Sequence, residues 1–149
     1  MRWQFSLILL FAMLSGAAGA REPDLAGPAV VIDGDKIEID GQRVRLYGID
    51  APELAQTCLD REGVSYRCGQ VAADQLGTLI GERPVTCFEI TRPGWGRMVA
   101  KCRVDDTRIG RWMVRHGFAL DFARYSKGYY AEEQAWAEKE QLGLHAGRF

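Results

Sequence analysis

Histidine is scarce in this chain, with two residues among 149, and no Cys-x-x-Cys pair occurs in it. A zinc centre built from thiolates and imidazoles therefore has no spacing to rest on. A surplus of positive charge is missing too: 19 Lys and Arg stand against 20 Asp and Glu, a net charge of −1. Domains that hold polyanions by bulk charge are usually strongly basic, so any nucleic-acid contact must come from a few well-placed arginines. There is no internal repeat and no low-complexity tract. The longest apolar run, Phe5 to Leu14, is too short to span a bilayer, which takes about 20 residues.

That run has another reading. Arg2 gives a positive start, and Ser15 to Ala20 are all small, with Ala18-Gly19-Ala20 fitting a small-x-small cleavage pattern. Residues 1–20 are read as a secretory signal peptide cleaved after Ala20, which leaves no stable membrane anchor and a secreted or periplasmic protein. Removing Arg2 leaves 18 basic residues against 20 acidic ones, a charge of −2. All four cysteines, Cys58, Cys68, Cys87 and Cys102, lie beyond that point. An even count in an exported chain reads as disulfides. Spacing alone does not choose among the three pairings. Cys58 and Cys68 flank one polar loop, whereas Cys87 and Cys102 sit in successive strand-like runs, which favours 58–68 and 87–102.

The rest of the chain is long enough for one domain. Residues 21–28 read as a flexible leader, and residues 29–149 as the domain. Val30-Val31-Ile32, Ile37-Glu38-Ile39 and Val44 to Ile49 alternate as strands, separated by Asp33-Gly34-Asp35 and Asp40-Gly41 turns. Val71, Ala72, Leu76, Leu79 and Ile80 have helical spacing up to Gly81. Val85 to Ile90 and Met98 to Val104 form a strand pair around Arg92-Pro93-Gly94. Ile109 to His116 and Tyr129 to Gln141 read as helices. Five short strands with few helices between them predict a small closed barrel, an α+β and mainly β fold.

Three segments carry possible chemistry: Asp33-Gly34-Asp35, Arg45 to Glu53, and Trp95-Gly96-Arg97. Arg45 lies inside an apolar strand that ends at Asp50, and Pro52 holds Glu53 just past that end. Two carboxylates beside an arginine are costly unless they serve a cation or an anionic substrate. Asp35 and Asp50 suit a hard divalent ion such as calcium, with water and backbone carbonyls completing the shell. Glu53 is then free to act as a general base. Arg45 and Arg97 would grip a phosphate through paired hydrogen bonds. Each part also has a plainer reading: an Asp-Gly-Asp turn, a salt-bridged strand arginine, and a helix cap with Asp50 at the cap and Glu53 in the box position. Their order and spacing together favour the site.

The runs Val31 to Ile37, Val44 to Glu53 and Trp95-Gly96-Arg97 resemble the staphylococcal nuclease (thermonuclease) family, over about Val30 to Phe149. The resemblance implies a five-stranded OB-type barrel with three helices. It implies calcium held by Asp35, Asp50 and the Ala51 carbonyl, with Glu53 as general base and Arg45 and Arg97 as phosphate ligands. Tyr125 matches the family's base-stacking aromatics. Family members hydrolyse DNA and RNA with little sequence preference and leave 3′-phosphate ends. The four cysteines and Arg124-Tyr125-Ser126 resemble an exported Gram-negative branch. Lys36 stands where threonine is usual, a place from which an ammonium would compete with the cation. Pro93-Gly94-Trp95 replaces the usual Asp-x-Tyr before the Gly-Arg pair. The alternatives are a non-catalytic nuclease-like binding module, or a phosphodiesterase for another exported substrate. No protein partner is implied.

Overall fold

The computed structural model describes residues 19–94 and 96–149. The expected signal peptide falls almost entirely on residues 1–18, outside the described residues. The first strands are β1 (Leu25–Gly27), β2 (Ala29–Asp33), β3 (Lys36–Ile39), β4 (Gln42–Leu46) and the two-residue β5 (Ile49–Asp50). A small ribbon of β6 (Cys58–Leu59) and β7 (Ser65–Tyr66) leads to helix α1 (Cys68–Ile80). Then come β8 (Val85–Thr91), β9 (Met98–Val104), β10 (Thr107–Arg108) and α2 (Ile109–Arg115). The chain finishes with β11 (Leu120–Asp121), α3 (Ala123–Ser126), α4 (Ala131–Lys139) and a 3-10 turn at Gly143–Ala146.

Alternation sets the strands. In β3, Ile37 and Ile39 are buried while Lys36 and Glu38 are not; in β9, Met98, Ala100, Cys102 and Val104 face inward. Asp40 and Gly41 both have positive φ, 50° and 77°, as a two-residue hairpin turn between β3 and β4 requires. Gly48, at φ 69°, breaks the predicted Val44–Ile49 strand, so that Ile49 and Asp50 pair with β11 instead.

The main sheet runs β1-β8-β9-β4-β3-β2, with β10 on β9. The two ends of that order, β1 and β2, are neighbours in sequence with only Pro28 between them. One bent segment thus pairs with β8 through β1 and with β3 through β2, which closes the sheet into a barrel. Proline suits the bend because it has no N–H to offer a ladder. This corrects the reading of residues 21–28 as a flexible leader: Leu25, Ala26 and Gly27 pair with Cys87, Thr86 and Val85. The fold is α+β and mainly β, of the OB type, with one-turn α3 added to the three expected helices. Ile37, Leu46, Leu76, Val85 and Ile109 are among its fully buried side chains.

Both disulfides join the expected cysteines, Cys58 with Cys68 and Cys87 with Cys102. Cys87 and Cys102 are register partners of β8 and β9 and are buried in the barrel wall. The pair encloses a sequence separation of 15. Replacing both with alanine is expected to lower stability by about 3 kcal/mol, from the unfolded-chain entropy that such a loop restores. Urea unfolding with an unchanged midpoint would show that the ladder alone fixes this register.

Candidate active site

The turn between β2 and β3 places the first carboxylates. Asp33 Oδ1 accepts the Asp35 N–H at 3.0 Å, which folds the turn on itself. Gly34 lies against Ala51 and Ala72: a Cβ there would come within 2.7 and 2.8 Å of their methyls. The turn therefore packs directly on the segment that follows Asp50. Asp35 is nearly sealed from water, at 1% side-chain exposure, and its Oδ2 accepts the Ala51 N–H at 2.9 Å.

Positive charge surrounds this carboxylate. Arg45 reaches Asp35 Oδ2 at 3.4 Å and Asp50 Oδ1 at 3.7 Å from the same nitrogen, Nη2. It also faces the Ile49 carbonyl at 3.5 Å. These are long contacts, so the guanidinium is held without being saturated. Lys36 is more firmly engaged, with Nζ at 2.6 Å from Asp33, 3.3 Å from Asp35 and 3.2 Å from Glu53. Burial pushes the Asp35 carboxyl above its usual range, outweighing the Ala51 N–H, Arg45 and Lys36, which pull it down. Burial pushes the Lys36 ammonium the other way, but Asp33, Asp35 and Glu53 more than offset it, so its value is raised and it stays charged.

Glu53 is 73% exposed, on a loop fixed from behind. Its carbonyl accepts the Gln56 N–H at 2.8 Å and lies against Gly69 in the first turn of α1. A Cβ on Gly69 would sit 1.8 Å from that oxygen. The Cys58–Cys68 disulfide joins the far end of the same loop to the residue before Gly69. Helix, disulfide and loop thus meet where Glu53 is presented.

Arg97 and Tyr125 stand on the other side of Arg45. With Arg45, Tyr47, Ile49 and Phe122 they line an open cavity of about 520 Å³. Two guanidinium groups therefore share one cavity, and no carboxylate lines it. Among the described residues, no acidic group lies within ion-pair distance of Arg97. The turn before it is anchored by residues that the sequence did not single out. Gly96 donates its N–H to Pro93 O at 3.1 Å, and the Gly96 carbonyl accepts from Arg92 at 3.1 Å and Gln42 at 3.2 Å. Trp95 lies outside the described residues. Tyr47 was also missed; its hydroxyl donates to the Tyr125 carbonyl at 3.0 Å and fixes that wall.

The five charged residues expected from sequence, together with Ala51, thus fall into one contiguous region. Asp35, Ala51 and Asp50 cluster around Arg45, Glu53 joins through Lys36, and Arg97 joins through the cavity. The family model for staphylococcal nuclease homologues matches residues 43–146. The chain belongs to the staphylococcal nuclease family. Its members are generally nucleases. The chain is also 41% identical, over 139 residues, to the succinoglycan biosynthesis protein ExoI of Rhizobium meliloti (strain 1021); the match covers 92% of this chain and 72% of that protein.

The donor set bears on the calcium expected of such a family member. Among the described residues, no three His, Cys, Asp or Glu side chains gather into a ready-made cage. What is present is hard and oxygen-only: two carboxylates converging on Arg45, beside the backbone at Ala51. That chemistry fits calcium completed by carbonyls and water, and excludes a soft metal. The Lys36 ammonium is a built-in competitor for the same carboxylate.

The Gly69 contact can be tested against a control on the same helix. Gly69→Ala is expected to destabilise the protein by about 1–3 kcal/mol, since backbone cannot yield to the methyl cheaply. Gly77→Ala, where nothing lies within 4 Å, is expected to stabilise it by about 0.5–1 kcal/mol. Equal midpoints for the two variants in urea unfolding would refute the close packing behind Glu53.

Proposed function

We propose that this protein is an exported, calcium-dependent nuclease that hydrolyses phosphodiester bonds of DNA and RNA with little sequence preference. One observation supports this reading most: two incompletely satisfied guanidiniums, Arg45 and Arg97, line one cavity, and Glu53 is linked through Lys36 to Asp35, which Arg45 also contacts. Long contacts of 3.4–3.7 Å leave Arg45 with more to gain from a phosphate, which takes charge-assisted bonds of about 2.7–2.9 Å.

Asp35, Asp50 and the Ala51 carbonyl would hold the calcium ion, which would supply positive charge next to the phosphate. Arg45 and Arg97 orient the phosphoryl oxygens and neutralise the charge that grows on them as the bond breaks. Glu53, solvent-facing on a rigid loop, takes the proton from an attacking water. The water oxygen bonds to phosphorus, the ester oxygen leaves with its electron pair, and solvent protonates it. Tyr125, with Phe122 at its edge, offers a face for a base to stack on. This wall reads no base edge, in keeping with low sequence preference. Lys36 holds Glu53 as an ion pair before substrate arrives, so its ammonium must release that carboxylate for proton transfer.

Export rests on the apolar start of the chain and on two disulfides, which persist in oxidising compartments such as the periplasm or the cell exterior. The named relative supports a second reading, in which the same phosphate-directed site serves a phosphodiester substrate in extracellular polysaccharide synthesis. A non-catalytic binding module would have no use for Glu53.

Plasmid and RNA digestion with added calcium, against the same reaction with a chelator, separates these readings. Cleavage is expected only with calcium, and its absence from the oxidised protein would sink the nuclease reading. Glu53→Gln is expected to lower turnover by about 10²–10⁴-fold with an unchanged unfolding midpoint. Full activity in that variant would assign the proton to another group. Lys36→Thr is expected to lower the calcium concentration for half-maximal rate on the order of tenfold, the equivalent of about 1.4 kcal/mol. A calcium requirement that stays the same would show that the ammonium does not compete.

A further inference from the structure

A second cavity, of about 230 Å³, lies on the other side of Tyr47. Lys101, Arg103, Arg108 and Arg111 line it, with Tyr47 and Tyr129, and no carboxylate is among its lining residues. Four of the chain's 19 basic residues thus face one small space in a protein of net charge −1. Arg111 is paired with Glu133. Among the described residues, no acid lies within ion-pair distance of Lys101, Arg103 or Arg108.

Aromatic faces stand against three of these cations: Arg103 lies over the Phe88 ring at 5.2 Å. Lys101 Nζ sits 3.7 Å from the Tyr129 ring centre and 4.9 Å from that of Tyr47, and the Arg111 guanidinium is 4.4 Å from Tyr129. Burial pushes the Tyr129 phenol up, yet the Arg111 hydrogen bond and the charges of Lys101, Arg111 and Arg108 bring it below its ordinary value. The local field is therefore positive in spite of the chain's overall charge.

The two cavities lie side by side along β9. Val99 lines the first, Lys101 and Arg103 line the second, and the residues between them, Ala100 and Cys102, point into the barrel. Residues two apart on a strand face the same way at about 6.7 Å spacing. Tyr47 borders both spaces. At about 230 Å³ the second cavity falls below the ~300 Å³ at which sites for whole small molecules begin. It suits one charged unit of a longer chain.

We propose that the Lys101–Arg103–Arg108 cavity is a second phosphate subsite, which grips the backbone of a single-stranded nucleic acid running past Tyr47 from the candidate active site. This rests on the nucleic-acid reading of the first cavity. Cations interleaved with aromatic faces are the means by which single strands are held without sequence preference. The subsite makes a long strand a better ligand than a dinucleotide and lets the enzyme stay on a polymer.

Binding without turnover tests this. A fluorescein-labelled twelve-nucleotide DNA strand is titrated with the full protein in chelator, by anisotropy, over a range of salt concentrations. Each neutralised phosphate of a single strand contributes about 0.7 to the slope of log K against log salt. Arg103→Gln/Arg108→Gln removes the grip on that one phosphate and is expected to reduce the slope by about 0.7 and to weaken binding at least tenfold at low salt. Arg108→Glu alone, with a circular dichroism spectrum like the parent's, is expected to weaken it as well. The same slope and affinity in the variants would overturn the subsite, as would failure of the parent to bind the strand. Heparin, titrated in parallel, gives the other class of ligand: heparin binding tighter than DNA, with the variant loss confined to heparin, assigns the cavity to acidic polysaccharide and overturns the proposal. If the parent does not cleave DNA with calcium but the slope change is found, the subsite stands and the hydrolytic reading alone falls.

Discussion

Burial of the Asp35 carboxylate is the constraint around which the site is assembled. A carboxylate with 1% exposure must find partners within the protein. Asp35 finds them on three separate pieces of chain: the Ala51 N–H beyond β5, Arg45 in β4, and its neighbour Lys36 in β3. Each partner fixes one wall of the site. Even so, burial outweighs them all and raises the group's affinity for a proton.

The barrel makes this burial possible. β1 and β2 are one segment bent at Pro28 that ties β8 to β3, and α1 packs under the β2–β3 turn through Ala72 and Gly34. The same helix begins at Cys68, beside the Gly69 contact with Glu53. One helix therefore supports both carboxylate segments, the turn at Asp35 and the loop at Glu53. Positioning of the two is coupled through rigid backbone, which suits catalytic groups better than coupling through long side chains.

The sequence shows the strand set well, because burial alternates cleanly in β3 and β9. The Asp35, Arg45 and Asp50 grouping was also legible, since hairpin turns put those residues at one end of neighbouring strands. Barrel closure was not: Leu25-Ala26-Gly27 is too short and too small a run to give a periodic signal, and its pairing with β8 is long-range. The anchoring of Gly96 by Gln42 was hidden for the same reason, since 54 residues separate the two. The second cavity had a local signal that could have been found. Lys101 and Arg103 alternate with Ala100 and Cys102, so they mark one outward face of a strand, but a reading based on total charge gives that stripe no weight.

The contrast between total and local charge explains how a slightly acidic chain can serve a polyanion. A net charge of −1 gives little long-range pull at physiological salt, where fields decay over about 8 Å. Cations placed in cavities free of acids act at shorter range than that, and the low-dielectric aromatic walls at Tyr47 and Tyr129 weaken screening further. Such a protein meets its ligand without strong steering and holds it by contact. It should therefore bind bulk acidic polymers poorly and discriminate by the spacing of phosphates along Arg97, Arg45 and the β9 face. Local placement of cations gives a selectivity that a uniformly basic surface would lose.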